Sequence, residues 1–136
     1  MRINDLPEEI NKTTEAIVDS AYKVHSKVGP GLLENVYEAC LAHELSVRGI
    51  RFEKQKPIPV IYDNIHLDVG FRLDLLVENQ VVVELKSVEK LLPVHETQIL
   101  TYLKLTHCPV GLLLNFNVSL MKEGMRRIVL SKVKIS

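Results

Sequence analysis

The chain has 136 residues, 46% of them apolar and 25% charged, a balance that fits one compact α/β-sized domain over residues 1–136 and excludes a disordered or fibrous protein. Seventeen Lys and Arg cancel seventeen Asp and Glu, so no net positive charge advertises non-specific nucleic-acid binding and any such partner must meet a local patch. Apolar runs such as Gly111 to Leu114 are far too short to cross a bilayer, and Met1 to Asp5 lacks the apolar core of a secretion signal; a cytoplasmic protein without membrane contact is expected.

Ile17, Ala21, Val24 and Val28 recur at three- and four-residue intervals, which predicts an amphipathic helix over Asn11 to Val28. Gly29-Pro30-Gly31 breaks it. A second helix is expected from Leu32 to Arg48, with Leu33, Val36, Tyr37, Cys40, Leu41 and Leu45 on one side and Gly49 as its stop. From Ile50 the period shortens to two. Ile58 to Tyr62, Leu67 to Leu75 and Val81 to Leu85, parted by turns at Asp63-Asn64 and Glu78-Asn79-Gln80, read as a three-strand antiparallel meander. Pro93 then introduces a helix over Val94 to Thr106, which Cys108-Pro109 ends. Strands follow at Val110 to Leu114 and, as a basic edge, at Met125 to Leu130. A strand reached through a crossover helix returns parallel to its neighbour, so the expected fold is an α/β mixed sheet flanked by helices.

Positions 74 and 84 are equidistant from Asn79 in the second turn, so Asp74 and Glu84 would stand opposite each other on neighbouring strands. Lys86, two residues beyond Glu84, returns to the same face. Two adjacent carboxylates repel unless something positive intervenes, and a hard cation such as Mg²⁺ or Mn²⁺ is the usual resolution. In a phosphodiester site the carboxylates would fix the ion, and the lysine would orient or deprotonate the attacking water. Asp-x9-Glu-x-Lys alone is a weak signal, because charged pairs on a hairpin are commonly a solvated surface. Its setting strengthens it: Val81-Val82-Val83-Glu84-Leu85-Lys86 places charge within an apolar run, which is costly without a partner. Gln98 and Tyr102, four apart on the next helix, could overlook the same site, and Glu34 and Tyr37 share a face of the second helix.

Asp74, then Glu84-Leu85-Lys86, then Gln98-x-x-x-Tyr102 resembles the PD-(D/E)xK nucleases, in particular the branch with a glutamine-tyrosine helix motif. Gly31-Leu32-Leu33-Glu34-Asn35-Val36-Tyr37 resembles the signature of the small GxxExxY family within it, and Asn115-Phe116 with Gly124-x-Arg126-Arg127 resembles that family's C-terminal segment. The resemblance covers about Ile10 to Val129 and implies a restriction-endonuclease-like fold. It further implies metal ligation by Asp74, Glu84, the Leu85 backbone carbonyl and Glu34, a catalytic role for Lys86, and substrate contact or support from Gln98 and Tyr102.

Arg72, on the strand of Asp74, and the basic group Lys122, Arg126 and Arg127 are candidates for phosphate contact; the plain alternative is a charged, protected edge strand. His25 and His95 could approach the site, but no histidine pair has ligand spacing. Cys40 and Cys108 lack a CxxC partner and are expected as free thiols. The expected activity is hydrolysis of DNA, or RNA, with a homodimer or protein partner able to help grip a duplex. Two rivals stay open: a binding module that kept the fold without cutting, and a structural subunit, which would expose a large apolar patch on the first helix.

Overall fold

The computed structural model describes residues 6–130. The elements run α1 (Glu8–Val28), α2 (Glu34–Val47), β1 (Phe52–Pro57), β2 (Val60–Tyr62), β3 (Ile65–Leu67), β4 (Arg72–Val77), β5 (Val81–Lys86), α3 (Pro93–Thr106), β6 (Val110–Asn115) and β7 (Met125–Val129). Five strands form a mixed sheet in the order β1-β4-β5-β6-β7. The β5–β6 pair is parallel, as the crossover through α3 requires, and the other pairs are antiparallel.

Val81 to Leu85 is buried throughout because helices cover both sheet faces. Val81, Val83 and Leu85 pack with Ile17, Tyr37 and Leu41 from α1 and α2. Val82 packs instead with Ile99, Tyr102 and Leu103 from α3. The period of two therefore sets Glu84 and Lys86 on the α3 side. Each fully buried side chain of this size stabilises the fold by about 1.5–3 kcal/mol.

The antiparallel trio exists, but not as three consecutive strands. β4 pairs with β1, a segment of mostly charged and amide residues (Glu53, Lys54, Gln55, Lys56) with no apolar alternation to announce it. The alternating Val60 to Leu67 stretch instead closes on itself as the separate hairpin β2–β3. Asp63 and Asn64 both have positive φ, 50° and 62°, the conformation of a tight type I′ turn. Gly70, at φ 79°, breaks the expected Leu67 to Leu75 strand. On α2, Tyr37, Leu41 and Leu45 face the core as expected, whereas Leu33 is 73% exposed and Val36 also faces solvent. Leu33 precedes the first helical residue, so helical periodicity does not govern its direction.

After β6 the chain makes a 3-10 turn at Met121–Gly124 before β7. A Cβ at Gly124 would collide with the Asn115 carbonyl oxygen and press on Val118. Gly124→Ala is accordingly expected to destabilise the protein by about 3 kcal/mol, at the upper end of overpacking costs, since backbone cannot yield as a flexible side chain does. Urea titration checks this; an unchanged midpoint would remove the close approach as the reason for glycine here.

Candidate active site

The β4–β5 hairpin pairs regularly from Val77 opposite Val81 to Leu75 opposite Val83, and the same register sets Asp74 opposite Glu84. Here side chains replace the backbone ladder. The Asp74 N–H donates to Glu84 Oε2 at 2.8 Å, and the Leu85 N–H donates to Asp74 Oδ2 at 2.8 Å. Each carboxyl thus closes the other's strand through a backbone N–H, which leaves Glu84 Oε1 outside this pairing and Asp74 Oδ1 to a long contact with Gln55.

Glu84 is only 5% exposed. Burial, and then the Asp74 charge, push its carboxyl up to about 8, against the opposing pull of the Asp74 amide and Lys86; Glu34 adds to the upward shift. Asp74 is also raised, chiefly by burial, with the Leu85 amide, Gln55 and Lys86 acting the other way. The pair is therefore undercompensated: one lysine does not offset two carboxylates withdrawn from water.

Glu34, Asn35 and Glu38 from α2, Gln55 from β1, and Asp74 and Leu85 line a cavity of about 180 Å³. Gln55 Nε2 donates to Glu38 Oε1 at 2.6 Å and to Asp74 Oδ1 at 3.4 Å. Its φ of 52° is in the left-handed region, a conformation that costs a non-glycine residue about 1–3 kcal/mol and is tolerated where surrounding contacts hold it. The β1–β4 pairing skips this point, passing from Lys54 opposite Leu75 to Lys56 opposite Leu73. Sequence reasoning missed Asn35, Glu38 and Gln55. Glu38 was readable, being one turn from Glu34 on the same helix face; Gln55 was not, because only the β1–β4 pairing brings it to Asp74.

Tyr37 holds the corner that delivers Glu34. Its hydroxyl donates to the Gly29 carbonyl at 2.6 Å and accepts from the Leu32 N–H at 3.1 Å, while its ring stacks on Phe116 at 4.5 Å. The Phe116 N–H in turn donates to the Lys86 carbonyl at 3.0 Å. Tyr37→Phe keeps the stack but removes a hydroxyl that bonds two part-buried backbone groups, an expected loss of about 1 kcal/mol. Thermal unfolding tests it; a variant as stable as the parent would remove the hydroxyl from this role.

Beyond Lys86, the Ser87 hydroxyl donates to the Leu32 carbonyl at 2.5 Å. Asn115 grips both the N–H and the carbonyl of Val88, at 3.1 and 2.9 Å. Tyr102 lies buried on the α3 side, its phenol raised by burial and by the charges of Glu84 and Asp74, with Gln98 acting the other way. Gln98 and Tyr102 thus come within the field of the carboxylates without lining the cavity.

Arg72 is exposed on β4. Arg126 stands in the same cross-sheet row as Glu84 through Leu113, two strand spacings or about 9–10 Å away, and its guanidinium donates to the Glu123 and Met125 carbonyls. Arg126 and Arg127 together line a recess with Val18, Leu112 and Met125 that is separate from the carboxylate cavity. His25 Nε2 meets the Val118 carbonyl at 2.7 Å, and His95 Nδ1 accepts the Leu92 N–H at the start of α3. Both histidines are thereby engaged structurally. Cys40 and Cys108 are free thiols. Among the described residues no helix is long and apolar enough to cross a membrane.

A mixed sheet between helices, with a carboxylate pair and a lysine at the ends of its central hairpin, defines a restriction-endonuclease-like α/β protein. The profile of the PD-(D/E)XK nuclease superfamily matches residues 11–128, and the chain belongs to that superfamily. Neither the curated proteins nor the solved structures gave a match.

Proposed function

We propose that the chain is a metal-dependent nuclease that hydrolyses phosphodiester bonds of DNA, or of RNA, within the GxxExxY branch of its superfamily. The observation that carries this reading is the interlocked Asp74–Glu84 pair, two adjacent carboxyls whose ionisation Lys86 alone does not offset. Nucleases of this superfamily generally use divalent metals. Among the described residues no three His, Cys, Asp or Glu side chains converge as a finished metal cluster. The donor chemistry nevertheless fits: hard carboxylate oxygens, partly free, beside a cavity that Glu34 also lines.

Asp74, Glu84, the Leu85 carbonyl and Glu34 would hold Mg²⁺ or Mn²⁺. Such an ion, when bound, supplies Lewis-acid polarisation of the phosphate. Lys86 orients the attacking water and takes up or relays its proton, while its charge favours the ionised form of both carboxylates. Gln98 and Tyr102 support the Glu84 side, and Arg72, Arg126 and Arg127 supply phosphate contacts that a neutral chain must concentrate locally.

A second reading, a module that kept the fold and binds nucleic acid or protein without cutting, is favoured by one observation: each carboxylate already satisfies a backbone amide. Incubating the purified chain with labelled single- and double-stranded DNA and RNA, with Mg²⁺, Mn²⁺ or chelator, separates the two. Metal-dependent products support the nuclease. Binding without cleavage under every condition overturns it in favour of the module.

A further inference from the structure

The regular pairing of the sheet opens on both sides of Asp74. Toward β5 the ladder ends at Leu75 opposite Val83, and beyond it the Asp74 N–H turns to the Glu84 carboxyl. Toward β1 the pairing passes from Lys54 opposite Leu75 to Lys56 opposite Leu73, so the register leaves Gln55 facing Asp74 without a backbone pair. Asp74 is met at both oxygens instead. The Leu85 N–H donates to Oδ2 at 2.8 Å, and Gln55 Nε2 donates to Oδ1 at 3.4 Å.

Gln55 makes that contact from a left-handed backbone, φ 52°, which a residue continuing the ladder in extended form would not need. Glycine takes this conformation without a Cβ penalty, and asparagine takes it more readily than most residues. Gln55 is exposed, so no core packing offsets the strain. What glutamine adds at this point is reach and an amide nitrogen with two N–H groups. The same Nε2 donates to Glu38 Oε1 at 2.6 Å, a short bond to a charged acceptor that keeps the nitrogen, and not the amide oxygen, turned toward Asp74. Glu38 lies one turn from Glu34 on α2, and all of these residues line one cavity.

We propose that Gln55 is a positioning residue of the candidate metal centre: tethered to Glu38, its amide holds the Asp74 carboxyl from the β1 side in the orientation that receives a divalent cation. The inference rests on the nuclease reading, in which Asp74 is a ligand. A carboxyl held at one oxygen can still swing about its last torsion, whose preferences are broad; a bond at the second oxygen removes that freedom. Hydrogen bonds in catalytic sites are often long before the ligand arrives and tighten in the complex, which accounts for a positioning contact of 3.4 Å.

Two variants separate the strain from the amide. Gln55→Gly removes both, whereas Gln55→Met keeps the reach and the strained backbone and removes only the donor. Calorimetric titration with Mn²⁺ is expected to show binding roughly 10-fold or more weaker for both variants than for the parent, the usual effect of losing a hydrogen-bond partner of a ligating group. Thermal unfolding without metal should place Gln55→Gly at or above the parent, because glycine is relieved of the left-handed penalty, and Gln55→Met no higher than the parent. Equal Mn²⁺ affinity in parent and variants overturns the positioning role and leaves the nuclease reading standing. A Gln55→Gly protein that melts below the parent assigns the residue to the fold and overturns the role as well. A parent that binds no Mn²⁺ overturns the metal-dependent reading itself, and the positioning role falls with it.

Discussion

Replacing Lys86 by alanine is expected to slow metal-dependent cleavage by roughly 10²–10⁴-fold, the usual contribution of a positioned proton-transfer group. The proposed reading gives this lysine two roles, which can be separated. Its charge lowers the proton affinity of Asp74 and Glu84, so removing it leaves both carboxyls harder to ionise and moves the acid limb of the pH–rate profile upward. Lys86→Arg restores the charge, and with it the position of that limb. Arginine does not give up its proton in this range, so the rate should stay low. If the arginine variant cleaves at the parent rate, Lys86 acts through its field alone. A Lys86→Ala variant with undiminished rate would take the residue out of the chemistry altogether.

Glu84 should make the metal-free protein less stable as pH rises, the reverse of the usual carboxylate behaviour. Its folded carboxyl is raised from 4.5 to about 8, so across that interval the folded protein keeps a proton that the unfolded chain has released. Its favourable contribution is complete below the unfolded value and is lost as pH climbs through the folded one. Glu84→Gln cannot titrate and should flatten the profile, with a melting temperature at alkaline pH roughly 5 °C or more above the parent's. Binding of a divalent cation requires the ionised carboxylate and releases the proton. Mg²⁺ should therefore restore the parent's stability most at alkaline pH and act far less on Glu84→Gln. Scanning fluorimetry over a pH series, with Mg²⁺ or chelator, checks both parts. A parent profile that rises toward alkaline pH, or equal Mg²⁺ stabilisation of parent and variant, would show that the buried carboxylate is neither strained by its surroundings nor a ligand.

Tyr37 illustrates how a motif acquires a physical reason. In the sequence it is a tyrosine three residues after Glu34. In the fold its hydroxyl closes the Gly-Pro-Gly corner and its ring reaches Phe116, next to the backbone that carries Lys86. One side chain therefore braces both the helix that brings Glu34 and the strand end that brings Lys86.

The sequence by itself determined the three helices, the β5–β6 parallel pair and the opposition of Asp74 and Glu84. These follow from local periodicity, from turn residues and from counting across a short hairpin, where few residues separate the partners. Only the tertiary structure decided that β1 pairs with β4. The Glu53 to Lys56 stretch has no apolar pattern, and its β state comes from a partner about twenty residues away. That pairing brings the strained Gln55 to Asp74 and Glu38, so the cavity wall had no local signature. The same holds for the hairpin at residues 60–67. Its alternation reads as a core strand, yet its apolar face is open to solvent, because periodicity records which side chains share a face and says nothing of what covers it.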